Sequence, residues 1–107
     1  MDDQNSELPN EALLTVSGMS LVAEADSLAA RCQSLLDGPA KLINIDLTGV
    51  VEADITLFQI ILAFNSALLS RNRHMILAPL PVEHPVSKLA NLLGIPLEHH
   101  LAIAGAL

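Results

Sequence analysis

Two aspartates, Asp46 and Asp54, are the residues in this sequence best suited to chemistry. A pair of carboxylates at one site can act as general acid and general base when the surroundings separate their pKa values. Such a reaction also needs a nucleophile, a set of donors for a developing negative charge or a glycine-rich loop for phosphate, and the sequence carries no motif for any of these. We therefore expect no catalytic residues. Because Asp54 directly precedes an apolar helical pattern, we interpret it first as the N-cap of that helix.

Histidines and glutamates occur together twice, which raises the question of a metal site. His84 follows Glu83, and the pair His99 and His100 follows Glu98. Adjacent histidines point to opposite faces of a strand and diverge by about 100° on a helix, so both cannot readily reach one ion. We interpret these residues as surface groups, and we expect neither a metal ion nor another cofactor.

Composition and charge argue against several classes of partner. The 107 residues include five basic and twelve acidic side chains, giving a formal net charge of −7, and no Trp or Tyr. Nucleic acid is not expected as a partner, because phosphate backbones repel such a chain and aromatic stacking platforms are lacking. No apolar run approaches the ~20 residues that span a bilayer, and the acidic start is unlike a secretory signal, so we expect a cytoplasmic protein without membrane insertion. Cys32, the only cysteine, has apolar helical neighbours that predict a buried structural thiol.

Apolar periodicity predicts alternating strands and helices. The predicted strands cover residues 12–17, 42–47 and 74–78, and the predicted helices cover residues 21–36, 55–70 and 85–93. This order favours right-handed crossovers and an α/β fold in which helices pack against a parallel or mixed sheet.

The two ends of the chain are less regular. Residues 1–10 are interpreted as a flexible tail and 11–107 as a single domain. In this interpretation Gly18 ends the first strand and Ser20 caps the first helix. Three strands make a thin sheet, so one end of the chain is expected to add another. The segment 96–107 fits either a short strand or a final helical turn.

The helix predicted over 55–70 is more apolar than one packed face requires. Its central face consists of Leu57, Ile61, Phe64 and Leu68. Phe58, Leu62 and Leu69 lie well round from that face, so the apolar arc is about twice the ~100° of a half-buried helix. Either the first or third helix covers these three residues, or they form a docking surface for another protein or a second copy of the chain.

Four segments follow one another in an order that is more specific than any of them alone. They are IDLTGV at 45–50, ADITL at 53–57, RNRHMILAPL at 71–80 and VSKLANLLGI at 86–95. Over roughly residues 12–95 the sequence resembles the STAS domain of bacterial anti-sigma factor antagonists. The resemblance implies a small α/β domain that regulates transcription by binding a protein partner, either a serine kinase or an anti-sigma factor.

The resemblance also implies where such binding would be regulated. In that family the residue after the second aspartate is often a Ser or Thr that a partner kinase phosphorylates, at a helix N-terminus that stabilises phosphate. Ile55 occupies that position here, and Thr56 follows it, so Thr56 becomes the candidate phosphorylation site. The alternative is that Thr56 is a first-turn residue bonded locally. The predicted partner-binding residues are Asp54, Ile55, Thr56, Phe58 and Leu62.

Two other functions remain open at this point. Members of the family without the usual phosphosite act as adaptors beside chemotaxis-type signalling proteins and in lipid-transport ATPase complexes. From another class, a small-ligand or nucleotide-binding sensor would require an enclosed pocket. Separately, Arg71, Arg73 and Lys88 are candidates for a small basic patch, and the stronger interpretation of Arg71 is a solvated helix end favoured by the helix dipole.

Overall fold

The computed structural model describes residues 10–95 and 97–104, apart from the side chain of His99. The strands in this part of the chain are β1 (Glu11–Ser20), β2 (Leu42–Ala53), β3 (His74–Leu77) and β4 (Ala102–Ile103). The α-helices are α1 (Ala25–Asp37), α2 (Ile55–Leu69), α3 (Pro85–Leu93) and α4 (Leu97–His100), and a 3₁₀ turn over Val22–Glu24 precedes α1.

The four strands lie in one sheet in chain order, and each neighbouring pair is parallel. The predicted α/β fold with a parallel sheet is therefore confirmed. The C-terminal segment supplies both of the structures between which the sequence left a choice, because α4 leads directly into β4. Asn10 is tied to the sheet, since its carbonyl oxygen accepts the backbone N–H groups of Lys41 and Leu42. The rest of the predicted tail, residues 1–9, and residues 105–107 lie outside the described part.

Alternation along the strands shows that the helices pack on one face of the sheet. Leu14, Ile43 and Leu77 are buried on that face. Their neighbours along the strands point to the other face and are half-buried, as in Asn44, or exposed, as in Leu13. The buried side chains of α1, α2 and α3 join those of the strands in a single cluster. The central face predicted for α2 is confirmed, because all four of its residues are buried: Leu57, Ile61, Phe64 and Leu68.

β1 and β2 are longer than their sequence patterns predicted, because two β-bulges in β2 allow the strands to stay paired as far as Ser20 and Ala53. The register between them shifts after Thr15 and again after Gly18, each time with one extra residue in β2. Gly18 has a φ of 71° and thus lies inside β1 in a conformation that glycine adopts freely. A side chain on Gly49 would place its Cβ 3.0 Å from that of Ser17, so the strands approach closely there. The prediction that Gly18 ends the first strand was wrong, and β2 continues to Ala53, past the end predicted at residue 47.

The first helix begins later than predicted, and an arginine donates hydrogen bonds to the carbonyl groups at its C-terminal end. Ser20 ends β1 as a buried residue instead of capping the helix. At the other end, the guanidinium of Arg73 donates to the carbonyl oxygens of Ala40, Leu36 and Leu35 at 2.7, 2.7 and 2.9 Å. These carbonyls include acceptors that the end of a helix leaves without intrahelical partners. The predicted basic patch is wrong for Arg73, because its charged group is occupied inside the fold.

Candidate functional site

Asp54 joins two segments at the carboxyl end of the sheet. It is the N-cap of α2, and its Oδ1 accepts the backbone N–H of Thr56 at 3.0 Å. Its other oxygen, Oδ2, accepts the backbone N–H of Val22 at 2.9 Å, in the turn that follows β1. The predicted N-cap role is confirmed. One carboxylate therefore fixes both the start of α2 and the β1–α1 connection.

The hydroxyl of Thr56 also bonds to this carboxylate. Its Oγ1 donates to Oδ1 of Asp54, and the Thr56 side chain is half-buried. This hydrogen bond, together with those from the backbone of Val22 and Thr56, holds the pKa of Asp54 below its usual range. The local hydrogen bond that the sequence left as one alternative for Thr56 is thus present. Ile55 differs from Thr56 in presenting much of its side chain to solvent.

The predicted docking face of α2 is only partly exposed. Phe58 is 3% exposed and belongs to the core, so the expectation that it faces a partner is wrong. Asn65 lies on the same side of α2 as Phe58 and donates to the His100 carbonyl at 3.3 Å, which brings α4 to this side. Leu62 is half-buried and packs on the core, and Leu69 is 50% exposed.

Asp46 and Asp54 do not form a carboxylate pair. Asp46 lies opposite Thr15 in the ladder, whereas Asp54 follows the residue opposite Ser20, so the two are separated along the sheet by roughly 20 Å. Asp46 accepts the hydroxyl and backbone N–H of Thr48 at 2.6 and 2.9 Å. The Thr48 hydroxyl is the main reason that the pKa of Asp46 lies below its usual range. The arrangement does not support acid–base work by these two residues.

His84 and Cys32 contribute to the fold, through a helix cap and through core packing. His84 caps α3: its Nδ1 accepts the backbone N–H of Val86 at 3.1 Å, so its Nε2 donates to the Thr48 carbonyl 3.0 Å away. Among the described residues, no group of three His, Cys, Asp or Glu side chains is placed to hold a metal ion. The side chain of His99 is outside this description. Cys32 is buried as predicted, and burial raises the pKa of its thiol to about 11.

Exposed apolar side chains gather around the Asp54 turn. Met19, Val22, Val51 and Ile55, here called the carboxyl-end patch, are between 47% and 67% exposed. Val51 is the extra residue of β2, between the residues that pair with Gly18 and Met19. Val22 donates its backbone N–H to Asp54, and Ile55 directly follows Asp54. The bulges in β2 and the long strands thus bring two separate stretches of sequence, 19–22 and 51–55, to one end of the sheet.

Sequence reasoning missed three residues of the carboxyl-end patch, and a likeness between two of its segments gave no signal for it. The chain contains two similar pentapeptides, VAEAD at 22–26 and VVEAD at 50–54. One begins in the 3₁₀ turn before α1 and the other ends at the N-cap of α2, and the fold places them side by side. Their likeness did not predict this contact, because it depends on how far β1 and β2 extend beyond their clear apolar alternation.

A small cavity lies elsewhere, between the end of β3, α3 and the C-terminal elements. Its volume is about 190 Å³, and its lining includes Leu77, Ala90, Leu97 and Ile103. Sites for drug-sized ligands usually occupy about 300–1,000 Å³. This cavity is therefore smaller than such a site.

Comparison with known proteins does not assign the chain to a family. The sequence matches no protein-family model, and a comparison with curated proteins also yields no match. None of the described helices has the length and apolar character needed to cross a membrane.

Proposed function

We propose that the chain is a STAS-like regulatory module that binds a protein partner through the Asp54 turn. The observation that carries the proposal is the exposed apolar residue Ile55 beside a carboxylate that fixes two segments at once. A rigid turn with an apolar side chain in solvent loses little conformational freedom on binding. The partner class follows from the resemblance: a serine kinase, an anti-sigma factor or a signalling complex in the cytoplasm.

Constitutive binding is the better-supported form of this function. Ile55 has no hydroxyl where the family often carries its phosphosite, and the Thr56 hydroxyl is held by Asp54. Adaptors without a phosphosite, in chemotaxis-type or lipid-transport ATPase complexes, therefore provide the closer analogy. This form requires that partner binding persist when Thr56 is replaced by Ala.

Phosphorylation of Thr56 is the second candidate, and the geometry supplies a mechanism for it. A phosphate would replace a hydroxyl that donates to Asp54 with a group of about −2 charge, next to a carboxylate. Repulsion would move the Asp54 carboxylate away from the backbone N–H groups of Val22 and Thr56, from which it accepts hydrogen bonds. The turn at Val22 would then lose its tie to α2, and the binding surface would change shape.

The proposal is tested by comparing proteins that co-purify with the full chain and with matched variants from cells that encode it. Ile55→Glu places a charge in the proposed surface, whereas Leu92→Glu does so at a still more exposed position on α3. We expect one group of partners to be lost with Ile55→Glu and retained with Leu92→Glu. If no partner depends on residue 55, the proposal is wrong. Phosphate stoichiometry at Thr56, measured by mass spectrometry on the same material, separates the two forms.

A further inference from the structure

The carboxyl-end patch is bordered by acidic side chains. Glu52 adjoins Val51 and lies opposite Met19 in the β1–β2 ladder, and both Glu24 and Glu52 are exposed. Asp54 is half-exposed beside Ile55. An apolar centre with a charged rim is the usual composition of a protein-binding surface. Here the charges of the rim are negative.

Basic side chains are mostly placed at the other end of the sheet. Lys41 precedes β2, and Arg71 and Arg73 precede β3, so these three adjoin the amino ends of the strands. Arg31 lines the same cleft as Met19 and Glu24. Its guanidinium donates to the Thr15 carbonyl. The rim of the patch therefore carries a net negative charge, and this charge favours some classes of binding partner over others.

Charge disfavours three of the possible occupants of this patch. A second copy of the chain in a two-fold arrangement would bring the same carboxylates together, and like charges at an interface are costly. Nucleic acid and anionic lipid surfaces are negative as well. A basic protein surface has the complementary charge and can bury apolar side chains against the four of the patch.

We infer that the carboxyl-end patch binds a protein segment with large apolar residues flanked by lysines or arginines. The inference rests on the proposed function and adds the chemistry of the partner. It also moves the contact from the side of α2, where Phe58 is buried, to the ends of β1 and β2. Residues Met19, Val22 and Val51 thereby become contact residues.

A library of random short peptides displayed on phage tests the inference without knowledge of the natural partner. The library is selected on the wild-type chain after depletion on Ile55→Lys. We expect recovered peptides to be rich in Lys, Arg and large apolar residues. A synthetic peptide from the selection should bind at least ~10-fold more weakly to Ile55→Lys and to Val22→Lys, because each variant removes an apolar contact and repels the basic residues of the peptide. Its binding should also weaken with Glu52→Lys and with added salt.

Leu92→Lys provides the matched control, because Leu92 is exposed and apolar but lies on α3. It should leave peptide affinity unchanged, and the thermal midpoint of each variant checks that it folds. Neutral or acidic peptides, equal binding to Ile55→Lys, or no enrichment would each overturn the inference. If NMR shift changes centre on α2 instead of the patch, the inference fails while the proposed function stands. If no cellular partner depends on Ile55 either, both fail.

Discussion

The carboxylate of Asp54 accepts the backbone N–H of Val22 at 2.9 Å, across 32 positions of sequence. The same carboxylate caps α2 through the backbone N–H of Thr56. A single side chain therefore sets the relative position of the β1–α1 turn and the start of α2. The exposed residues of the carboxyl-end patch lie on these two segments and on the adjoining ends of β1 and β2, so the shape of the patch depends on Asp54.

Amide hydrogen exchange should reveal this double role. Asp54→Ala removes the acceptor of both amides, so we expect faster exchange at Val22 and at Thr56, and a thermal midpoint lowered by a few degrees. Thr56→Val is the control, since it removes the hydroxyl but retains the Asp54 carboxylate. In that variant Val22 should keep its protection. Unchanged exchange at Val22 in Asp54→Ala would show that the bond does not hold the turn.

Acid should weaken the contribution of Asp54 to folding stability in a defined range of pH. Its pKa is lower in the folded chain than the ~3.9 of an unfolded aspartate, chiefly through the Thr56 hydroxyl. A lowered pKa stabilises the fold fully above the unfolded value, and this stabilisation is lost as the pH falls through the folded value. Asparagine caps a helix about as well as aspartate but does not titrate. We therefore expect the difference in thermal midpoint between wild type and Asp54→Asn to be constant near neutral pH and to shrink below about pH 4.

A difference between the two proteins that stays the same down to pH 2 would contradict this assignment. The comparison with Asp54→Asn also removes the effect of Asp46, whose pKa is lowered by Thr48 and which titrates in both proteins.

Truncation along α2 should separate core from surface. Phe58→Ala opens a cavity in the core and should lower the free energy of unfolding by about 3–5 kcal/mol, measured by urea denaturation. Leu69→Ala removes a half-exposed side chain from the same helix and should change stability by about 0.5 kcal/mol or less. Similar losses in the two variants would mean that Phe58 is not a core residue in solution.

Arg73 should contribute to stability and not to binding. Arg73→Ala removes three charged donors from the carbonyls that end α1 and should lower the free energy of unfolding by about 1.5–3 kcal/mol. Arg71 is exposed and makes one hydrogen bond to the Ala67 carbonyl at 3.2 Å. Arg71→Ala should therefore cost about 0.5 kcal/mol or less. Urea denaturation of the two variants checks the difference, and equal effects would be inconsistent with the role assigned to Arg73.

The sequence predicted the helices and strands whose ends are determined by neighbouring residues. Asp54 before an apolar repeat gave the start of α2, and α3 occupies the predicted range, Pro85–Leu93. The full lengths of β1 and β2 depend on pairing between distant strands through two bulges, which short-range alternation does not report. The burial of Phe58 likewise depends on packing between elements that are distant in sequence. For the same reason, the sequence predicted Asp54 and Ile55 at the site and missed Met19, Val22 and Val51.

The central claim is that the surface around Ile55 contacts a protein partner, and site-specific photo-crosslinking in living cells tests it most directly. A photoreactive amino acid replaces either Ile55 or Leu92, two exposed apolar residues on different helices. The account predicts a discrete protein adduct from position 55 that is absent from position 92 and disappears when Val22→Asp is added. Adducts from position 92 alone, from both positions equally, or from neither would contradict it.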